Sequence, residues 1–185
     1  MTLLPGLACL LWVLLTAASV LAWPAPHGRR PRLVRTRALV VVLGVEVLGA
    51  GLVALLGASG SPLSTPWSWF AVVLGSAASL LGGGVVTRCV LALADASSRP
   101  EGPRVQRTVL RGGTWIGALE RLAVTATLVA GWPEGLAAVV AVKAFARYPE
   151  LRASPTTGAV ERFIIGTFTS LGWAAVCAGT VLVLT

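Results

Sequence analysis

Residues 111–133 read RGGTWIGALERLAVTATLVAGWP, and the fold turns on how this stretch is understood. From Trp115 to Gly131 it is apolar or small apart from two threonines and the adjacent pair Glu120 and Arg121. A charged side chain at the centre of a membrane-spanning helix costs about 2.5–3.5 kcal/mol on insertion scales. Two such residues in succession either keep the segment out of a bilayer or mark a place where neighbouring helices receive them. The rest of the chain favours the second reading.

Of the 185 residues, 56% are hydrophobic and only 12% charged, with a mean hydropathy of +0.83. Soluble domains carry about 25% charged residues. Hydropathy alone picks out apolar segments at approximately 3–22, 38–58, 69–94, 115–131, 133–148 and 161–184. A helix needs about 20 apolar residues to cross a hydrocarbon core of about 30 Å. The fifth segment covers only about 24 Å at 1.5 Å per residue, which is short for a crossing. The expected fold is therefore all-α: a polytopic transmembrane helical bundle of about six spans, forming one integral membrane domain over residues 1–185.

The net charge of +8 comes almost wholly from arginine, since Lys143 is the only lysine. In a soluble chain such a balance would suggest nucleic acid. Here the arginines separate apolar spans and no basic, aromatic-interleaved domain exists, so no nucleic-acid partner is expected. Loops 28–37, 95–111 and 147–162 hold twelve of the fourteen arginines, whereas the short turns 59–66 and 131–134 have neither Lys nor Arg. The positive-inside rule then places the basic loops in the cytoplasm and both termini outside. Before the first apolar run there is no positive charge, and Arg29, Arg30, Arg32, Arg35 and Arg37 follow it. That asymmetry reads as an uncleaved anchor rather than a signal peptide, despite the weak cleavage-like "SVLA" before Trp23. Trp67 and Trp69 stand where an interfacial aromatic belt would hold the third span.

With this topology Arg121 lies about 9 Å in from Trp115 at the inner face. The fifth segment ends at the same face with Lys143 and Arg147 one turn apart. The sixth begins there with Glu161 and Arg162. Glu120, Arg121, Lys143, Arg147 and Glu161 thus form a candidate polar, anion-binding site for a lipid headgroup, a ligand or a partner. The plainer alternative is that the cations snorkel to lipid phosphates while Glu120 pairs with one of them. Adjacent helical residues point about 100° apart, so Glu120 and Arg121 cannot face one neighbour. One is expected to pair inside the bundle and the other to line the site. Glu46, about 12 Å into the second span, is an intramembrane carboxylate that is either protonated or paired across helices with Arg121.

Small residues recur every four positions at Gly75, Ser79 and Gly83, at Gly113 and Gly117, and at Gly166, Ser170, Ala174 and Ala178. Such stripes let helices approach closely, and packing is their expected role. Gly82, Gly83 and Gly84 predict a bend or a close contact in the third span. Cys9, Cys89 and Cys177 have no CxxC spacing and read as small buried hydrophobes. His27 is the sole histidine and Asp95 the sole aspartate, so the sequence assembles no metal site, no cofactor motif and no nucleophile–base pair.

The motifs GGTWIGALERL, AAVVAVKAFARYPEL and VERFIIGTFTSLGWA resemble the last helices of a bacterial membrane family known only as a domain of unknown function. The shared pattern rests on Ile116, Gly117, Glu120, Arg121, Lys143, Arg147, Glu161, Ile165, Gly166, Thr167 and Ser170. The resemblance implies that the charged helices act as one unit in a bacterial inner-membrane protein, and implies no activity. The arginine bias also fits a GC-rich bacterial genome. The expected function is a non-enzymatic, multi-pass membrane protein binding anionic phospholipid, a second copy or other membrane subunits. The alternative is a small transporter or channel using Glu46 and Glu120.

Overall fold

The computed structural model describes residues 10–14, 16–17, 32–58, 63, 65–97, 113–153 and 157–185. They are helical almost throughout, and there is no strand among them. After helical residues at 10–14 and 16–17 (α1) come α2 (Arg32–Ala58), α3 (Thr65–Ser97), α4 (Gly113–Val129), α5 (Glu134–Ala153) and α6 (Thr157–Leu184). The greater part of the first span, the cleavage-like stretch and the loop after Ser97 lie outside the described residues.

Among the described residues, two helices contain apolar stretches long enough to cross a bilayer. These are Pro66–Asp95 in α3, with mean hydropathy 1.8, and Val160–Leu184 in α6, with mean hydropathy 1.7. Val47–Leu56 in α2 is a shorter apolar stretch. At 17 residues, α4 spans about 25 Å.

The helices run past the apolar segments that define them. α2 begins at Arg32, six residues before its apolar run, and α6 at Thr157 rather than Glu161. Arginine and threonine continue a helix once its apolar turns are packed, so hydropathy marks the buried length and not the helix. α5 carries on through Pro149 to Ala153, where the sequence suggests a loop. Pro149 costs that turn one backbone hydrogen bond, and Arg152 lies in the last turn, near the negative end of the helix dipole.

α3 and α6 form the centre of the bundle. Their small residues set the distance: a Cβ on Gly75 would overlap Val181, and Ala78, Ser79, Ala174, Cys177 and Ala178 are fully buried. Trp173 of α6 donates its indole N–H to the Ala78 carbonyl at 3.2 Å. It also meets Trp12 of α1 edge-on, with ring centroids 6.0 Å apart. A Cβ on Gly82 would sit 2.9 Å from Trp173 Nε1 and 3.0 Å from Thr16. Of the two expectations for this glycine run, the close contact is observed, and α3 passes through it as one continuous helix. Cys89 and Cys177 are buried and form no disulfide among the described residues; Cys9 lies outside the described residues.

α4 runs against α3, since Arg121 meets Gly83 and Thr125 meets Ser79. It ends in a Schellman turn, with the N–H of Trp132 on the Thr127 carbonyl and that of Gly131 on Leu128. Gly131 has φ +71°, a conformation that costs side chains other than glycine about 1–2 kcal/mol. α5 then returns along α4, with Glu134 in its first turn facing the positive dipole end.

Candidate functional site

Glu120 and Arg121 go to different places. Arg121 turns into the bundle between α3, α4 and α6 and is only 6% exposed. One terminal nitrogen donates to Ser170 Oγ of α6 at 3.2 Å. The other donates to the Leu80 carbonyl of α3 at 3.0 Å. The side chain fits only because Gly83 has no Cβ, which would overlap Arg121 Cδ. One turn further along, Thr125 Oγ1 donates to Ser79 Oγ and lies 2.9 Å from it. The Arg121 Nε and the hydroxyls of Thr87 and Thr167 are buried without a hydrogen-bond partner among the described residues.

Glu120 faces the other way, toward α5, where its carboxylate pairs with Lys143. Both side chains are largely covered, at 12% and 16% exposure. The pair stands at the side of a shallow groove of about 400 Å³ between α4 and α5, otherwise walled by apolar side chains such as Leu119, Ala123, Ala138, Val142 and Ala146. The groove exists because small residues face each other there, while α5 packs chiefly on α4.

The charges that the sequence brings to one depth therefore divide into separate groups. Glu120 and Lys143 meet across α4 and α5. Arg147 follows Lys143 by one turn and is partly covered. Arg121 belongs to the helix core and not to the α4–α5 surface. Glu161 is exposed at the start of α6, and its neighbour Arg162 pairs with Asp95 near the end of α3, where both are about half exposed. Glu46 lies on α2, and its side chain is outside the described residues. The partners missed from sequence are Ser170, Leu80 and Asp95. Ser170 carried a signal as a member of the small-residue stripe and of the shared motif pattern but none as a partner of Arg121, Asp95 only as the sole aspartate, and a backbone carbonyl carries none.

Aromatic residues mark both ends of the helices. Trp67 and Trp69 on α3 and Trp132 in the α4–α5 turn share one end, and all are exposed. At the opposite end Trp115 begins α4 and Tyr148 lies near the end of α5, exposed by 75% and 59%. Between them Leu119, Leu48, Leu55, Phe145 and Phe168 all project outward. No family model, curated protein or solved structure matches the chain.

Proposed function

We propose that this chain is a non-enzymatic, multi-pass protein of the bacterial cytoplasmic membrane that holds anionic phospholipid at its inner, arginine-rich end. In this reading all six helices cross the membrane and both termini lie outside. Two aromatic ends separated by an outward-facing apolar surface support it, because tryptophan and tyrosine concentrate at bilayer interfaces. The observation that carries the lipid assignment is the placement of Lys143 and Arg147 on α5. They lead from the Glu120 pair toward Tyr148, the aromatic level at which phosphates lie. Lys143 and Arg147 stand one turn apart on α5 and give this end of the helix its basic character.

The test is native mass spectrometry of purified protein with phosphatidylglycerol or phosphatidylcholine. Wild type is expected to retain phosphatidylglycerol preferentially, with a preference that weakens as salt screens the charge. The Lys143→Gln/Arg147→Gln double variant is expected to lose it. Equal preference in both proteins rejects the site.

A further inference from the structure

Arg121 carries a full charge into the helix core, and no carboxylate among the described residues meets it there. Glu120, its neighbour in sequence, is turned to α5 and matched by Lys143. The two partners of the guanidinium, Ser170 Oγ and the Leu80 carbonyl, are both neutral. An ion buried without a counter-charge is among the costliest arrangements a protein can hold, so buried charges are ordinarily paired.

The surroundings of this charge are rich in donors that lack an acceptor. Arg121 Nε is buried with no hydrogen-bond partner among the described residues, and so are the hydroxyls of Thr87 and Thr167. Thr16, Thr169 and Thr180 instead donate to carbonyls of their own helices, the usual resort of a helical threonine. Thr87 stands one turn beyond Gly83 on α3, and Thr167 three residues before Ser170 on α6. A Cβ on Gly166 would lie 3.8 Å from Thr87 Cγ2, so the two threonines meet at one α3–α6 contact. Glycine keeps the guanidinium's terminal nitrogens accessible. Beyond its own helix backbone, a Cβ on Gly117 would meet only Nη1, at 3.3 Å, and one on Gly84 only Nη2, at 3.9 Å. Ser170 accepts from Arg121 and still has its own hydroxyl proton to give.

We infer that Arg121, Ser170, Thr87 and Thr167 bind one dehydrated halide, chloride in the cell, between α3, α4 and α6. A guanidinium offers only donors, and a hydroxyl can turn its proton to a common acceptor. One monatomic anion therefore satisfies the hydroxyls and balances the charge together. A water molecule would take up some of these donors and leave the charge unmatched. Arg121 is only 6% exposed and walled by three helices, which leaves a phospholipid headgroup no access. The halide site is thus separate from Lys143 and Arg147 and does not depend on lipid binding there.

Thermal unfolding of the purified protein in detergent, in sodium chloride, bromide or gluconate at equal ionic strength, gives the first readout. A ligand of the folded state raises the melting temperature as its concentration rises. Wild type is expected to melt higher in chloride and bromide than in gluconate, an anion too large to enter. Thr87→Val/Thr167→Val keeps the side-chain shape and removes both hydroxyls. This variant is expected to melt above wild type in gluconate, where the hydroxyls have no acceptor, and to bind chloride at least about tenfold more weakly. An equal gain in all three salts would show that the hydroxyls serve no anion, and overturns the site. Arg121→Met is expected to lose the halide effect altogether. Glu46→Gln examines a rival counter-charge: an unchanged halide effect sustains the site, whereas a halide effect seen only in this variant gives the role to Glu46 and overturns it. In crystals grown in bromide, an anomalous scattering peak beside Arg121 is the direct readout. Its absence overturns the proposal, as does wild type melting alike in all three salts.

Discussion

Gly83 and Arg121 make a prediction whose sign is informative. A Cβ at position 83 would overlap Arg121 Cδ and lie 2.7 Å from its Nε and 3.2 Å from Trp173 Cδ1. Overpacking of this kind costs about 1–3 kcal/mol, set against a gain of about 1 kcal/mol in helix propensity. Gly83→Ala in the wild-type background should therefore destabilise by up to about 2 kcal/mol. Arg121→Ala removes two hydrogen bonds from a charged donor, each worth about 1.5–3 kcal/mol. Relief from burying the charge offsets part of that loss, and a net cost of about 2–4 kcal/mol is expected. With the guanidinium gone, the Cβ of Gly83→Ala enters vacated space and adds up to about 0.8 kcal/mol of burial to the same propensity gain. The same substitution thus destabilises one background and stabilises the other, a coupling of about 2 kcal/mol. Reversible unfolding in mixed detergent–SDS micelles, followed by tryptophan fluorescence, measures all four corners of the cycle. If Gly83→Ala has the same effect in both backgrounds to within about 0.5 kcal/mol, the notch for Arg121 is refuted.

Glu120→Gln leaves Lys143 without its counter-charge in a largely covered position. Complete burial would make this cost about 3–5 kcal/mol; at the observed exposure about 1–3 kcal/mol is expected, read as a lower melting temperature. Adding Lys143→Met should restore most of it, and a Glu120→Gln protein that melts like wild type would show that the pair does not hold α5 to α4. For topology, single cysteines at Pro133 and Arg152, in a chain whose own cysteines are replaced by serine, should differ in intact cells. An impermeant maleimide is expected to label the first and not the second, and labelling of both removes the inside–outside assignment.

Hydropathy located every helix described here because each carries an apolar run, and it misjudged their ends wherever a polar turn continued one. α2 gains Arg32, Arg35 and Arg37 in this way, and α5 crosses Pro149. The pairing of Glu120 with a cation on the next helix was legible, since Lys143 lies at a matching depth on a short hairpin. The destination of Arg121 was not. Its partners are a serine hidden among small residues and a backbone carbonyl, and neither bears a charge to balance it. Grouping charges by depth alone therefore merged Arg121 with Lys143 and Arg147, although it points to the other side of α4. Depth can be read from sequence, but azimuth around a helix needs its neighbours.

Arg121 also imposes a timetable on biosynthesis. Its carbonyl partner on α3 is translated 41 residues earlier, and its hydroxyl partner, Ser170, 49 residues later. At about 5–20 residues per second, α4 waits roughly 2–10 s for α6 after Arg121 has been made. During that interval α3 can offer the Gly83 notch and the Leu80 carbonyl, while the third wall of the guanidinium's enclosure does not yet exist. The charged helix is thus among the last to settle, although two helices are synthesised after it. A nascent chain arrested between α4 and α6 would hold α4 half-seated, with the Arg121 guanidinium enclosed on the α3 side and open where Ser170 will later stand.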